Sequence, residues 1–323
     1  MERLRVFSGN ANPGLAAEIC ACLGIELSPL EISRFSNDNL IARVLTNVRE
    51  RDVFVVQPFT HPVSDHIMEL FIIMDALRSA SAKRITAVIP YFSYARSDKK
   101  DAPRISIAGR LLADLLKTAG ADRVLTMDLH SDAVHGFFSM PVDHLTAIPL
   151  IADYIGRQVD LDKAVAVATD AGGAKRVGKF AERLHIPMAI IDKRRLKDSE
   201  VVQGLVVGEV KSRHAIIFDD EISTGATLVA TARTLTRAGV SGMIMGATHG
   251  VLCGNAPANL KASGVGRFVV TNTVQIDPSK QIEGIKILSV APLMAEAIKR
   301  IHTGESVGAL FDSPGLVSPG EAP

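Results

Sequence analysis

The sequence predicts an α/β protein of two tandem domains, each a mainly parallel sheet flanked by helices. Short apolar, β-branched runs alternate with amphipathic stretches, a pattern typical of parallel strands covered by helices. The 323 residues, 47% of them hydrophobic, are enough for two buried cores. Residues 52–92 and 214–251 also repeat one order weakly: buried strand, loop, helix, strand. We therefore expect two related domains.

The elements follow from local signals along the chain. The first helix is expected to begin with Asn12 as its N-cap and Pro13 at its first position, and to end at Gly24. Pro141 and Pro149 bracket the connection between the domains. We place the first domain at residues 1–147, the second at 148–312 and a flexible Pro/Gly-rich tail at 313–323, leaving open that the end of the second domain packs back on the first. The predicted strands are RVF, DVFVVQP, RITAVIPYF, RVLTMDL, AVAVATD, MAIID, HAIIFDD, MIMGATH, RFVVTNT and IKILSV.

Composition excludes several classes of protein. The 36 basic and 35 acidic residues leave a net charge of +1, so no global basic field indicates nucleic acid or a membrane surface as a partner. Three cysteines, Cys20, Cys22 and Cys253, are too few and too poorly spaced for a disulfide framework or a zinc site. The chain shows no signal peptide and no apolar run of membrane length. We expect a cytoplasmic protein with a local anion site.

The stretch AIIFDDEISTGATL places two acids where a buried strand is expected to stop and a helix to start. Acids in such a place cost folding energy unless they bind something. Backbone N–H groups at a strand-to-helix turn favour a phosphate, and the two carboxylates would accept hydrogen bonds from vicinal sugar hydroxyls. The pattern predicts a sugar-phosphate site, the alternative being an acidic turn before a helix capped by Ser or Thr. Its residues are Asp219, Asp220, Ser223, Thr224, Gly225, Ala226 and Thr227.

Two cationic segments follow other predicted strands. The first includes Arg96, Ser97 and Lys99, and such a loop suits a polyphosphate because Arg binds phosphate through two hydrogen bonds while Lys adds a point charge. The second begins at Lys193 and includes Arg195, and it is interpreted as a basic flap that closes over a reacting polyphosphate. A solvated loop and an exposed hairpin are the respective alternatives.

Acidic and histidine residues follow two further predicted strands. Asp128 and His130 follow one, where an acid beside a histidine indicates a magnesium-linked or proton-handling role. Asp170 follows the other, before a Gly-Gly helix start, as a carboxylate suited to holding magnesium near phosphates. A structural histidine and a plain turn are the alternatives.

Together these stretches resemble the ribose-phosphate pyrophosphokinase family, the synthetases of phosphoribosyl pyrophosphate (PRPP), over residues 6–311. The resemblance rests on SGNANPGLA, PYFSYAR, DLH, GFF, TDAGGAKR, DKRR and the Asp-Asp loop, in the family's order and spacing. It implies two phosphoribosyltransferase-like domains, the first on the ATP side and the second binding ribose 5-phosphate. It also implies transfer of the diphosphoryl group of ATP to the anomeric hydroxyl of ribose 5-phosphate, giving PRPP and AMP. Magnesium and a homo-oligomer, hexameric or otherwise dimer-based, are further implications.

The resemblance assigns roles to individual residues. It implies that Lys193, Arg195 and His130 are catalytic and that His130 and Asp170 bind the metal. The residues implied to bind ribose 5-phosphate are Arg195, Asp219, Asp220, Ser223, Thr224, Gly225, Ala226 and Thr227. Those implied to bind ATP are Phe35, Asn37, Asp38, Asn39, Arg96, Ser97 and Lys99.

Three departures from the family pattern accompany the resemblance. Residues 35–39 read Phe-Ser-Asn-Asp-Asn where the family has Phe-Ser-Asp-Gly-Glu, Ser97 replaces a Gln, and Ser223 replaces an Asp. Two other functions remain as alternatives: a phosphoribosyltransferase that consumes PRPP, and a catalytically silent regulatory subunit. The first leaves the two cationic segments unexplained, and the second has no need of the catalytic residues that the chain retains.

Overall fold

The computed structural model of the chain describes residues 1–193 and 204–310, and it divides into two compact units. Of the described residues, unit 1 comprises Met1–Thr146, Thr273–Gln275 and residues 289–310, and unit 2 comprises Ala147–Asn272 and Ile276–Leu288. Both are α/β units, as the sequence predicts. The tail at 313–323 lies outside the described residues.

Strands and helices alternate along most of the chain. The strands are β1 (Leu4–Ser8), β2 (Leu30–Arg34), β3 (Leu40–Val44), β4 (Asp52–Val56), β5 (Arg84–Ile89), β6 (Arg123–Met127), β7 (Val142–Leu145), β8 (Ala164–Ala168), β9 (Met188–Lys193), β10 (Gly204–Val207), β11 (His214–Ile222), β12 (Gly242–Gly250), β13 (Arg267–Thr271) and β14 (Ile285–Leu288). The helices are α1 (Pro13–Leu23), α2 (Val63–Ser79), α3 (Ala108–Ala119), α4 (Ile148–Gly156), α5 (Ala174–Leu184), α6 (Ala226–Arg237), α7 (Ala256–Ala262) and α8 (Ala291–Thr303). None of the helices in the described ranges is both long enough and apolar enough to cross a membrane.

Unit 1 is built on a parallel sheet with strand order β1-β4-β5-β6-β7. Strand β4 is buried along its whole length, because helices cover both faces of such a sheet. Helix α1 begins as predicted: the Asn12 side chain accepts a hydrogen bond from the N–H of Leu15 at 3.1 Å, and Pro13 follows. It ends at Gly24, whose φ of 66° is the left-handed conformation that glycine adopts freely.

Unit 2 is built on a mixed sheet with strand order β10-β9-β8-β11-β12-β13-β14. All neighbouring strands in it are parallel except β10, which runs antiparallel to β9. Strand β11 is central, between β8 and β12. On one face of the sheet Phe180 of α5 stacks on Phe218 of β11, with ring centroids 4.5 Å apart. This packing fixes α5 next to the strand that carries Asp219 and Asp220.

Five strands of each sheet follow the same order, and the helix that comes after each sheet packs with the other unit. Strands β1-β4-β5-β6-β7 correspond to β8-β11-β12-β13-β14. Helix α8 follows β14 but packs against α1 of unit 1, whereas α4 follows β7 but packs against α5 of unit 2. Residues 289–310, which the sequence assigns to the second domain, thus pack with the first unit, and the division near the seam falls between Thr146 and Ala147.

Several strands differ from their prediction. The antiparallel hairpin of β2 and β3, the edge strand β7 and the short β10 were not predicted, because each is short and only partly buried. Strand β11 does not stop at the acidic pair but continues to Ile222, since β12 beside it continues to Gly250. Asp219 and Asp220 are therefore strand residues.

Candidate active site

The acidic pair lies near the carboxyl end of the central strand β11. Because successive side chains of a strand point to opposite faces, the neighbours Asp219 and Asp220 have different surroundings. The side chain of Asp220 is 4% exposed and that of Asp219 is 23% exposed. Both are more buried than is usual for carboxylates, and both have compensating partners.

Those partners come from the segment that follows β8. Arg176, near the start of α5, donates from Nη1 to Asp220 Oδ1 at 3.0 Å and to Asp219 Oδ1 at 3.3 Å. Thr169 donates from Oγ1 to Asp219 Oδ2 at 2.8 Å. Burial, followed by the neighbouring charge of Asp220, raises the pKa of Asp219 to about 7, and Arg176 and Thr169 oppose that rise. The site is thus acidic and partly desolvated, and its two carboxylates share the Arg176 guanidinium.

The loop after β11 leads directly into helix α6. Gly225 occupies the N-cap position with φ 74° and therefore supplies no capping side chain. Thr224 Oγ1 approaches the N–H of Ala226 only at 3.5 Å. A helix capped by Ser or Thr, the alternative interpretation of this stretch, is therefore wrong. Thr224 and Thr227 are exposed beside a helix N-terminus, which favours an anion.

Asp170 stands at the carboxyl end of β8, the strand next to β11. Its Oδ1 accepts a hydrogen bond from the N–H of Gly173 at 3.1 Å, which shapes the short turn before α5. In the described part of the chain, no cluster of three or more His, Cys, Asp or Glu side chains is arranged to hold a metal ion. A lone carboxylate still fits magnesium, which keeps several waters and is commonly bound by one or two carboxylates together with substrate phosphates.

The cationic loop of unit 1 is closed at its base by Ser97. The Ser97 Oγ accepts a hydrogen bond from the N–H of Ala108 at 3.0 Å and donates to the carbonyl of Ser106 at 3.2 Å. Arg96, which ends a short helical turn, and Lys99 are both exposed. The serine that replaces the family's Gln therefore fixes the two ends of the loop, and the loop presents its charges to solvent.

Phe35, Asn37, Asp38 and Asn39 lie at the tip of the β2–β3 hairpin. Arg34 fixes this tip, donating from Nη1 to Asp38 Oδ1 at 2.8 Å and from Nη2 to Asp65 Oδ2 of α2 at 2.8 Å. Asn37 Oδ1 accepts a hydrogen bond from the N–H of Asn39 at 3.3 Å. The ring of Phe35 is 58% exposed, which makes it an available stacking surface.

His130 follows β6 and is exposed. The turn before it is held by β7: the N–H of Leu129 donates to His144 Nε2 at 2.8 Å, and the N–H of Asp128 donates to the carbonyl of Leu145 at 3.0 Å. Asp128 adopts φ 39°, which is uncommon for a residue other than glycine.

Sequence reasoning placed the acidic pair, the loop after it and Asp170 at the carboxyl ends of two strands, and the structure shows that these strands are neighbours. It missed Arg176 and Thr169, although they are the last and first residues of the TDAGGAKR segment. Helix α5 begins at Ala174, so Arg176 falls in its first turn next to β11. Arg195 lies outside the described residues, as does the side chain of Lys193.

Comparison with known proteins identifies the family. A profile of the N-terminal domain of ribose phosphate pyrophosphokinase matches residues 4–120, and one of the phosphoribosyl synthetase-associated domain matches residues 202–312. A ribose-phosphate pyrophosphokinase of Deinococcus radiodurans is 50% identical over 312 residues, which make up 95% of this chain and 98% of that protein. The chain belongs to the ribose-phosphate pyrophosphokinase family.

Two further comparisons support this assignment. A ribose-phosphate pyrophosphokinase of Clostridium acetobutylicum is 45% identical over 311 residues, which cover 96% of this chain and 98% of that protein. The crystal structure of phosphoribosylpyrophosphate synthetase from Mycobacterium smegmatis superposes with a TM-score of 0.89 at 39% identity, covering 94% of this chain and 99% of that one. The resemblance inferred from the sequence and the predicted fold class are thus confirmed. The acidic pair and its loop are features of a ribose-phosphate pyrophosphokinase fold that spans nearly the whole chain.

Proposed function

We propose that the chain catalyses the ribose-phosphate pyrophosphokinase reaction, in which the diphosphoryl group of ATP is transferred to the anomeric hydroxyl of ribose 5-phosphate. The products are PRPP and AMP. The observation that carries the proposal is the pairing of Asp219 and Asp220 with a phosphate-suited loop at the end of one strand. Carboxylates accept hydrogen bonds from the sugar hydroxyls, and the loop N–H groups receive the 5-phosphate.

The acidic pair is prepared for a neutral diol. Arg176 and Thr169 occupy one side of the carboxylates through their hydrogen bonds. An arriving hydroxyl then adds a hydrogen bond instead of creating the whole arrangement. This favours pre-organised binding, in which little conformational freedom is lost when the sugar enters.

The ATP side of the reaction falls on unit 1. Arg96 and Lys99 present cations suited to a polyphosphate, with Ser97 closing the base of their loop. Phe35, Asn37, Asp38 and Asn39 would contact the base. Lys193, Arg195 and His130 would supply positive charge and proton handling around the transferred group. Little covalent work is required of the protein in phosphoryl transfer, so alignment and charge stabilisation are the main contributions.

Magnesium is the expected metal. Asp170 offers a carboxylate and His130 an exposed imidazole, and both would act together with phosphate oxygens and water. The ion, when bound, neutralises charge on the polyphosphate.

Two incubations separate this function from its two alternatives. In the first, the purified protein is incubated with magnesium, ATP and ribose 5-phosphate, and AMP and PRPP are measured together, with each substrate omitted in turn. In the second, it is incubated with magnesium, PRPP and a purine or pyrimidine base. Equal amounts of AMP and PRPP support the proposal. PRPP consumption with a purine or pyrimidine base, without net synthesis, would identify a phosphoribosyltransferase, and no turnover with either set of substrates would leave a regulatory subunit.

Assembly and location complete the proposal. We expect a cytoplasmic homo-oligomer, a hexamer or another dimer-based assembly, acting on two small molecules and on neither nucleic acid nor a membrane. Light scattering coupled to size-exclusion chromatography measures the assembly, and a monomeric mass for the active protein would contradict it.

A further inference from the structure

Three consecutive carbonyls, at the end of β11 and in the loop after it, accept hydrogen bonds from one neighbouring segment. The carbonyl of Ile222 accepts from the N–H of Leu252 at 3.0 Å, and that of Ser223 accepts from the N–H of Cys253 at 3.1 Å. The third, that of Thr224, accepts from the side-chain Nδ2 of Asn259 in α7 at 2.8 Å. Two of these bonds are donated by backbone N–H groups, which every residue except proline has. The third depends on a single side chain.

The direction of these carbonyls fixes the direction of the N–H groups that follow them. In a trans peptide the C=O of one residue and the N–H of the next point to opposite sides. The N–H groups of Ser223, Thr224 and Gly225 therefore all point away from the segment 252–259. They donate to no acceptor in residues 1–193 and 204–310. Successive N–H groups on one side of a turn that ends in a left-handed residue form a concave anion site.

Helix α7 lies against this loop with no space between them. A Cβ atom built on Gly225 would stand 3.3 Å from Asn259 Cβ and 3.4 Å from Leu260 Cδ2, a tight contact that adds to the preference for glycine at its φ of 74°. The Oγ of Ser223 lies 3.0 Å from the Sγ of Cys253. This packing keeps the Asn259 carboxamide next to the peptide group that joins Thr224 to Gly225.

We propose that Asn259 is a positioning residue for the phosphate-binding loop, a role that rests on the function proposed above. It does not contact substrate; it holds the Thr224 carbonyl away from the bound 5-phosphate and thereby aims the Gly225 N–H at it. If that peptide rotated, the phosphate would lose a donor and face a carbonyl oxygen instead. Loss of the Asn259 donor would therefore weaken the affinity for ribose 5-phosphate and leave the affinity for ATP unchanged.

The test compares Asn259→Asp with a matched control, Asn255→Asp. Asn259→Asp keeps the shape of the side chain but replaces the donor by an acceptor facing the Thr224 carbonyl. Asn255→Asp introduces the same charge at the cap of the same helix, where the side chain makes no capping hydrogen bond. Calorimetry measures the Kd of ribose 5-phosphate and of ATP with magnesium, and steady-state assays separate KM from kcat.

We expect Asn259→Asp to raise the Kd and KM for ribose 5-phosphate roughly 3- to 10-fold, as for an exposed carbonyl that loses the donor holding it in place. The Kd for ATP, the kcat at saturation and all constants of Asn255→Asp should stay within about twofold of the wild type, because a single-site binding effect is specific to one ligand. Asn259→Ala removes the donor without adding charge and tests the same point if the Asp variant does not fold.

Three results would overturn the inference. Wild-type affinity for ribose 5-phosphate in folded Asn259→Asp and Asn259→Ala would show that the carboxamide does not position the loop, while the proposed function stood. An equal loss of ATP and ribose 5-phosphate affinity would assign Asn259 a general structural role. Failure of the wild type itself to bind ribose 5-phosphate would instead overturn the proposed function and this role with it.

Discussion

Arg176 donates to the Asp220 carboxylate at 3.0 Å, and the two side chains are 18% and 4% exposed. The same guanidinium nitrogen also reaches Asp219 at 3.3 Å, so one cation serves two carboxylates. Burying two acids on adjacent strand positions costs free energy, and Arg176 offsets part of that cost before any substrate arrives. The pair is therefore stable in the free protein and still has acceptor capacity for a ligand.

We expect Arg176→Gln to destabilise the protein more at high pH than at low pH. Removing one partner of a buried ion pair costs roughly 3 kcal/mol, because the remaining charge is left uncompensated. Near pH 5 Asp219 is largely protonated with or without Arg176, so little of its interaction with the arginine is lost. Near pH 8 the wild-type carboxylate is ionised and paired with Arg176, whereas in the variant it must either stay unpaired or bind a proton, so the loss is larger. Urea unfolding at both pH values measures the difference.

The control for this variant lies on the same helix. Arg183 forms a two-point ion pair with Asp153 at 2.9 and 2.8 Å, with the arginine 30% exposed. Arg183→Gln should cost about 1 kcal/mol or less, equally at both pH values, as is usual for more solvated pairs. A pH-independent loss in Arg176→Gln, like that of the control, would show that Asp219 does not titrate in the folded protein as we infer.

The raised pKa of Asp219 gives the stability of the free protein a pH dependence of its own. Between about pH 4 and pH 7 the carboxyl is protonated in the folded chain and ionised in the unfolded chain, so the folded state binds more protons and its stability falls as pH rises. The slope from one such group is at most about 1.4 kcal/mol per pH unit. Asp219→Asn should remove this contribution. In urea unfolding from about pH 4 to pH 8, the free energy of unfolding of the variant, relative to that of the wild type, should rise with pH and level off at about pH 7. Parallel curves for the two proteins would contradict the prediction.

Asp219→Asn and Asp220→Asn should both impair the use of ribose 5-phosphate and leave ATP affinity nearly intact. An amide replaces one acceptor of the carboxylate with a donor that faces other donors, at a cost of about 1–3 kcal/mol for each unsatisfied group. The two substrates are titrated separately by calorimetry. A larger change for ATP than for ribose 5-phosphate would mean that the sugar is assigned to the wrong loop.

Much of the fold could be predicted from the sequence because its buried strands are continuous apolar runs. Strand β4 reads DVFVV and β11 begins HAIIF, and runs of this kind are recognised without knowledge of their neighbours. The β2–β3 hairpin was missed since its residues alternate between exposed and half-buried and so lack such a run. The exchange of α4 and α8 between the units also has no local signal, because it depends on which helix face meets α1 or α5.

The candidate site, like the fold, could be predicted from the sequence only in part. Acidic and glycine residues at strand ends are visible in the sequence, since the carboxyl ends of parallel strands are where α/β proteins bind ligands. Partners that come from another element are not: Arg176 is one of several cations in the chain, and only the packing of α5 on β11 brings it to Asp220. Asn259 is 35 residues from Thr224 and carries no motif.

Lys193→Ala should lower turnover far more than it weakens ribose 5-phosphate binding. A charge that reaches the reacting group only on closure stabilises the transition state, and losing such a group typically costs on the order of 10²–10³ in rate. Rates at saturation and ribose 5-phosphate affinity are measured on the same preparation. Comparable losses in the two quantities would exclude the flap role and assign Lys193 to ground-state binding.

The enzyme should use ATP but discriminate poorly against GTP. A carboxylate only accepts hydrogen bonds, which suits the exocyclic amino group of adenine and repels the keto oxygen of guanine, whereas an asparagine carries both a donor and an acceptor. In this chain Asn37 Oδ1 already accepts from the N–H of Asn39, so the Asn37 amide nitrogen is the group left to bond a base. That nitrogen is a donor and is compatible with the guanine keto oxygen. Stacking on the exposed ring of Phe35 is available to either purine.

The measurement is the ratio of kcat/KM for ATP and GTP in the wild type and in the double variant Asn37→Asp, Asn39→Glu. A site built to pair one polar group rejects its mismatch by roughly 10⁴–10⁵, so the double variant should gain ATP preference by at least tenfold. Arg34 pairs with Asp38 and Asp65 and holds the hairpin tip. The added charges should therefore change the choice of base without unfolding the tip, and hairpin integrity is checked by an unchanged melting temperature. A strong ATP preference in the wild type that the double variant leaves unaltered would show that the backbone reads the base and that these two asparagines do not.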